Sequence, residues 1–244
     1  MKKIAIFQSD LKVGGIQKAL INILNMIDYT KYQVDVYLFD DTHFFNLPQN
    51  PNLNIIYNRA YPSINRIIYF GLMLPFAKSV SLGKQYDIAI DFSSYRNECA
   101  IGALKADAKK RVMWIHNDVE IKRQNDPRYK VLWHFFKSKL SHYDEFAAVS
   151  PGIIDGFRRT TGLHNKVITP VPNYIDTEEI LQKANEPSEL GIDPNYYNLC
   201  TMGRMISQKG FDILIDYLSE AVKIKPNLRL YIIGEGPDQP KLEK

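Results

Sequence analysis

Short β-rich runs alternate with stretches of helical periodicity from one end of the chain to the other, and this alternation restricts the fold more than any other feature. The runs are Lys3–Gln8, Val34–Phe39, Leu53–Tyr57 and Asp87–Phe92, followed by RVMWIH, EFAAVS and KVITPVPN, which end at His116, Ser150 and Asn173. Between the first two, Ile16, Leu20, Ile23, Leu24 and Ile27 share one face of a helix that opens directly after Gly14-Gly15. Strands separated by helices pair in parallel, so the expected class is α/β, a parallel sheet covered by helices on both faces.

After Asn173 the pattern gives way to a polar stretch, TEEILQKANEPSELGIDPNYY, with two prolines and a glycine, as expected of a domain connection. A second series follows: YNLCTMG as strand, Lys209 to Ile224 as helix with Phe211, Leu214, Ile215, Leu218 and Val222 inward, and LRLYIIG as strand. The expected organisation is an N-terminal domain over 1–175, a linker over 176–196 and the start of a second domain over 197–244. One βαβ unit cannot bury both faces of a parallel sheet, so the second domain is expected to be truncated.

Composition bounds the rest. With 244 residues and 45% hydrophobic content there is enough material for a large core. A net charge of +4, without a concentrated basic stripe, argues against nucleic acid as a partner. The only cysteines, Cys99 and Cys200, form no CxxC pair, which excludes a disulfide framework or zinc signature and points to a reducing cytoplasm. The start of the chain has too short an apolar stretch for a secretory signal. The tract Ile67 to Ala77 is too short to cross a bilayer and is interrupted by Pro75. It reads as a helix packed on the sheet or, flanked by Arg66, Lys78 and Lys84, as a peripheral contact with the inner face of a membrane.

Chemistry concentrates at a few strand ends. In MGRMISQKGFDILI, Arg204 and Lys209 bracket a strand-to-helix turn. Two cations beside the backbone amides and positive dipole of a helix N-terminus suit a diphosphate. The pattern GRM, four residues, KG, an amphipathic helix and then LYIIGEGP resembles the second domain of GT-B glycosyltransferases, in particular the large retaining family four. That resemblance implies a GT-B fold of two Rossmann-like domains. It implies that Arg204 and Lys209 hold the donor diphosphate and that Gly234, Glu235, Gly236 and Pro237 lie near the base.

In the first half, GGIQKAL after the first strand is similar to the family's glycine-rich loop, where Gly14 and Gly15 would let the backbone approach the donor phosphate or acceptor. A tight turn at a generic helix start is the structural alternative. Gln17 stands where the family usually has Glu. His116, at the carboxyl edge of the sheet where open α/β folds bind ligands, looks like the family histidine that contacts the transferred sugar; a structural histidine is the alternative. AAVSPG and VPNYID are similar to the family's cleft-edge elements and single out Ser150 and Asn173, although Tyr174 stands where glycine is common and Ser150-Pro151 also reads as a helix cap.

There is no GxGxxG after the first strand, no GxxxxGK[ST], no Gly-x-Ser-x-Gly and no metal-ligand spacing. The expected activity is transfer of a hexose-type sugar, with retention, from a nucleoside-diphosphate sugar to a hydroxyl of a glycan or lipid-linked acceptor, in polysaccharide or glycolipid assembly. No cofactor and no metal are expected, since Arg204 and Lys209 neutralise the diphosphate. Lys109-Lys110-Arg111, Lys122-Arg123 and Lys137 to Lys139 read as a solvated basic face or as a surface for an anionic acceptor. The family's two acidic residues would lie beyond Lys244, so this piece is expected to be inactive alone. The alternatives are a non-catalytic module that binds sugar nucleotide or pairs with a different polypeptide, and an epimerase or phosphorylase on the same fold.

Overall fold

The computed structural model describes residues 1–57, 83–93, 96–187 and 191–243. The tract read as a packed or interfacial helix, Ile67 to Ala77, lies outside them. Two compact units divide the chain, Met1–Thr177 and Glu178–Lys244.

The first unit is built on seven parallel strands: β1 (Lys2–Gln8), β2 (Tyr32–Leu38), β3 (Leu53–Tyr57), β4 (Gln85–Asp91), β5 (Asp107–Ile115), β6 (Glu145–Ala148) and β7 (Val167–Pro170). Their order is β3-β2-β1-β4-β5-β6-β7, with every pairing parallel. The order reverses at β1 and β4, the switch point at whose carboxyl edge open α/β sheets bind ligands.

Alternation along each strand feeds two cores, one per face. On one face Ile6, Leu20, Leu24, Val36 and Phe92 pack together beneath α1 (Gly15–Met26). On the other, Phe7, Ala89, Cys99, Ile115, Tyr143 and Phe146 pack with α2 (Asn97–Lys105). There the Phe7 ring stacks on Tyr37 at 4.8 Å. Each fully buried Leu, Ile or Phe contributes about 1.5–3 kcal/mol relative to exposure.

Local chemistry sets the helix boundaries. Asp118 caps α3 (Val119–Asn125) by accepting hydrogen bonds from the Glu120 and Ile121 amides. Asp126 caps α4 (Pro127–Leu140) through the Tyr129 amide, with proline in the first turn where no donor is missed. The next helix, α5 (Gly152–Thr161), stops at Gly162 in the left-handed conformation, φ 76°.

The second unit holds α6 (Thr177–Ala184, whose first residue closes unit one), β8 (Tyr197–Met202), a 3₁₀ turn at Ser207–Lys209, α7 (Phe211–Ile224), β9 (Leu228–Ile233) and a short α8 (Gln239–Leu242). Strands β8 and β9 pair in parallel. The polar stretch after Asn173 thus contains a helix, for which Thr177, Glu178 and Glu179 supply a favourable first turn.

Three expectations need correction. Of the five residues assigned to the inward face of α7, only Phe211 is buried, and Leu214 is exposed, because two strands are too narrow to cover a 14-residue helix. One of the basic residues does not lie on a wet face: Lys139 is 2% exposed, whereas Lys109 and Lys110 remain solvated in surface pairs with Asp87 at 2.7 Å and Glu145 at 2.6 Å. And β5 begins at Asp107, earlier than RVMWIH suggested, because it pairs along β4 from Gln85.

Candidate functional site

In the second unit the turn after β8 and the turn after β9 are sewn together by backbone. Gly203 donates its amide to the Ile233 carbonyl (3.0 Å), Met205 to that of Glu235 (2.8 Å), and Asp238 to that of Met205 (3.1 Å). Gly234, at φ 146°, and Gly236 lie so close to the opposing chain that a Cβ at either would collide with a carbonyl oxygen, of Gly203 and Met205 respectively. Met205 is buried and anchors the turn, which leaves Arg204 and Lys209 exposed on either side of it. The Lys209 stem runs over Gly203, where a Cβ would stand 3.7 Å from Cε. Among the described residues neither cation has an ion pair or side-chain hydrogen bond.

The structure therefore brings Arg204, Lys209 and the Gly234–Pro237 turn together at the carboxyl ends of β8 and β9. The first turn of α7 opens immediately after, behind Gly210 with φ 65°, without a side chain capping its amides. Free amides, a helix dipole and two unpaired cations form an arrangement able to neutralise an anion of two or more charges.

The remaining sequence-derived positions lie at the carboxyl edge of the seven-stranded sheet. Gly14 caps α1 in an extended conformation, φ 171°, and Gly15 is outside the left-handed region as well, so a tight turn does not explain the pair. Instead the Gln17 side chain folds back over Gly14, and a Cβ at Gly15 would meet nothing within 4 Å. The loop is steered by Asp10, whose carboxylate accepts from the Lys12 amide (3.1 Å), Gln17 Nε2 (3.1 Å) and Ser9 Oγ (2.9 Å). Ser93, after β4, donates to Gln8 Oε1 (3.1 Å) and accepts from the Ser9 amide (3.4 Å). Sequence reasoning missed this buried network; a run of polar residues closing β1 was its one visible sign.

His116 follows β5. Both of its ring nitrogens are buried without a well-formed hydrogen bond among the described residues, with the Phe92 backbone the polar group beside them. Its ring is held by packing, edge-on to Phe92 at 4.7 Å and stacked with Trp114 at 6.3 Å. Burial lowers its pKa to about 4, against a smaller opposing effect of the Phe92 backbone, so the imidazole is neutral at pH 7. Ser150 and Asn173 are exposed. Ser150 Oγ accepts from the Gly152 amide, at the first residue of α5, at 3.2 Å, from the position before the N-cap Pro151. Asn173 makes no side-chain hydrogen bond among the described residues, whereas the neighbouring Tyr174 carbonyl accepts from Asn22 of α1 at 2.9 Å. Among the described residues no group of three or more acidic, histidine or cysteine side chains could hold a metal ion. No helix among them is long and apolar enough to cross a membrane.

A parallel sheet in the order 3-2-1-4, followed by a second parallel strand-helix-strand unit, defines a Rossmann-like type of α/β protein. Residues 13–179 match the model of Glycosyltransferase Family 4, and the chain belongs to that family. Among solved structures it is similar to the Anabaena protein HepE in complex with UDP and glucose, at 17% identity and a TM-score of 0.62, covering 100% of this chain and 64% of that one. It is also similar to WaaG, a glycosyltransferase involved in lipopolysaccharide biosynthesis, at 14% identity and a TM-score of 0.59, covering 98% and 65%. Both show the GT-B glycosyltransferase fold. Among curated proteins, the D-inositol 3-phosphate glycosyltransferase of Segniliparus rotundus is 40% identical over 53 residues, 22% of this chain and 12% of that protein. The chain thus matches about an eighth of that relative and spans about two thirds of the HepE structure.

Proposed function

We propose that the chain belongs to a retaining, metal-independent glycosyltransferase that moves a hexosyl group from a nucleoside-diphosphate sugar to a hydroxyl of a glycan or lipid-linked acceptor. The observation that carries the reading is the cationic turn after β8. Arg204 and Lys209 are exposed and unpaired beside the uncapped first turn of α7, and a departing diphosphate needs such a place. As the glycosidic bond breaks, negative charge grows on the phosphate oxygens. Donors fixed beforehand stabilise that state more than the ground state. His116, neutral at pH 7, would bring no charge to a sugar hydroxyl, but both its nitrogens are buried, so that contact requires the ring to become accessible. Gly15, with open space where a side chain would stand, lets the backbone come close to a ligand. HepE is bound to UDP and glucose, which supports a sugar nucleotide as donor.

The test is calorimetry of the chain with uridine, guanosine and adenosine diphosphates and their sugars. One base should bind, and Arg204→Ala should weaken it by about ten- to a hundredfold, the worth of a charge-assisted hydrogen bond of about 1.5–3 kcal/mol. Unchanged affinity in that variant would reject the assignment. Retention is read from the anomeric configuration of the product.

A second reading, a non-catalytic module that pairs with another polypeptide, is supported by the apolar surface of the second unit, where Met202, Tyr217 and Ile224 are 76%, 74% and 89% exposed. Absence of affinity for every nucleoside diphosphate would favour it.

A further inference from the structure

Asp91, the last residue of β4, is completely buried. The Tyr143 hydroxyl donates to its Oδ2 at 2.6 Å across 52 residues of sequence. Lys139, in the last turn of α4, is buried with them. Burial works against its charge, and Asp91 is the strongest influence in its favour. Isolated buried charges cost several kcal/mol each, and an apolar trio of the same volume is often as stable or more so. Stability alone does not require these three side chains.

Their position in the sheet suggests what they do. Asp91 faces the core that contains Tyr143 and Cys99, while the next residue, Phe92, faces the opposite core. Phe92 extends the ladder by donating its amide to the Phe7 carbonyl at 3.0 Å, and its ring meets His116 edge-on. Because the His116 nitrogens make no well-formed hydrogen bond among the described residues and have the Phe92 backbone beside them, Phe92 and the other packing neighbours decide where they point. A clamp on one face of β4 therefore governs a ring on the other.

We propose that Asp91, Tyr143 and Lys139 are positioning residues for His116, holding the end of β4 so that Phe92 fixes the imidazole. The coupling itself is independent of the proposed activity; its functional meaning rests on His116 as a sugar contact.

The experiment follows the His116 ring resonances by NMR in the whole chain, assigned by their loss in His116→Gln. Tyr143→Phe deletes the clamping hydroxyl and keeps the ring. The His116 resonance should move and its titration midpoint rise by about one pH unit as the loosened ring meets water, while exposed His43 and His164 stay in place. Tyr86→Phe is the matched control, since it deletes a hydroxyl that donates to the Asp35 carboxylate at the same 2.6 Å near the other end of the same strand. It should leave His116 unchanged. An unmoved His116 in Tyr143→Phe, or equal movement in both variants, overturns the proposal. Should Tyr143→Phe fail to fold, Asp91→Leu with Lys139→Met removes the acceptor and both charges together, and the same outcomes decide. If His116 moves but His116→Gln binds donor sugar as well as the parent, the clamp stands and the sugar contact fails.

Discussion

Gly236 and Met205 touch backbone to backbone: a Cβ at position 236 would collide with the Met205 carbonyl oxygen, which already accepts the Asp238 amide at 3.1 Å. The turn after β9 is thereby locked to the cationic turn after β8. Any side chain at 236 must push the two apart, and the colliding atoms are main chain, which cannot rotate away.

Gly236→Ala should therefore destabilise the second unit by about 1–3 kcal/mol, the usual cost of overpacking. It should also weaken diphosphate binding, because Arg204 shares the displaced turn. Gly191→Ala, where a Cβ would meet nothing within 4 Å, is the control and should change neither. Denaturant melts together with calorimetry measure both effects; equal melts for the two variants would contradict the lock.

Gln17 donates to the Asp10 carboxylate, so this position tests the one departure from the family's usual glutamate. Gln17→Glu replaces a donor with a second carboxylate and should cost about 1 kcal/mol at pH 7. The new carboxyl would have a folded-state pKa above its unfolded value near 4.3. Its deficit is then full above the folded pKa and disappears as pH falls below about 4. Urea midpoints of parent and variant should converge on acidification; a constant gap would show that repulsion is not the cause.

The strands and their parallel sense could be read from the sequence, because each run is a local signal and helices separate them: KIAIFQ and LNIIY are apolar runs bounded by polar turns; their order in the sheet could not. The Gly-Glu-Gly-Pro turn was visible too, but not the Met205 carbonyl that makes Gly236 necessary, since a backbone approach across two strands has no periodicity. Asp91 and Tyr143 were hidden for the same reason, as two residues 52 apart whose pairing depends on how α4 packs. Leu214 shows the opposite failure. Its helical spacing was correct, but burial also depends on how wide a sheet lies beneath, and periodicity says nothing of that.

His116 ties stability to acidity. Its pKa is lowered from 6.5 to about 4, so between those values the unfolded chain takes up a proton that the folded chain refuses. Its contribution is constant above about pH 6.5, declines as pH falls toward 4, and levels off below. Over that window the loss is at most about 3 kcal/mol. His116→Gln should flatten this part of the stability profile, measured by denaturant melts at pH 7, 5.5 and 4.5. A parallel decline in parent and variant would mean that the ring is accessible to protons in the fold.

Lys209 separates charge from packing. Its stem lies along Gly203 and its ammonium has no partner among the described residues, so Lys209→Met keeps the packing and deletes only the charge. Stability should stay within about 0.5 kcal/mol of the parent, as for surface substitutions that break no specific feature. Affinity for a nucleoside diphosphate should fall about tenfold or more, the worth of one charge-assisted hydrogen bond. The fall should shrink at high salt, since an exposed cation is screened within about 10 Å at 0.1 M ionic strength. If affinity is kept while stability drops, Lys209 serves to hold the turn, and Arg204 with the α7 amides must bind the phosphates without it.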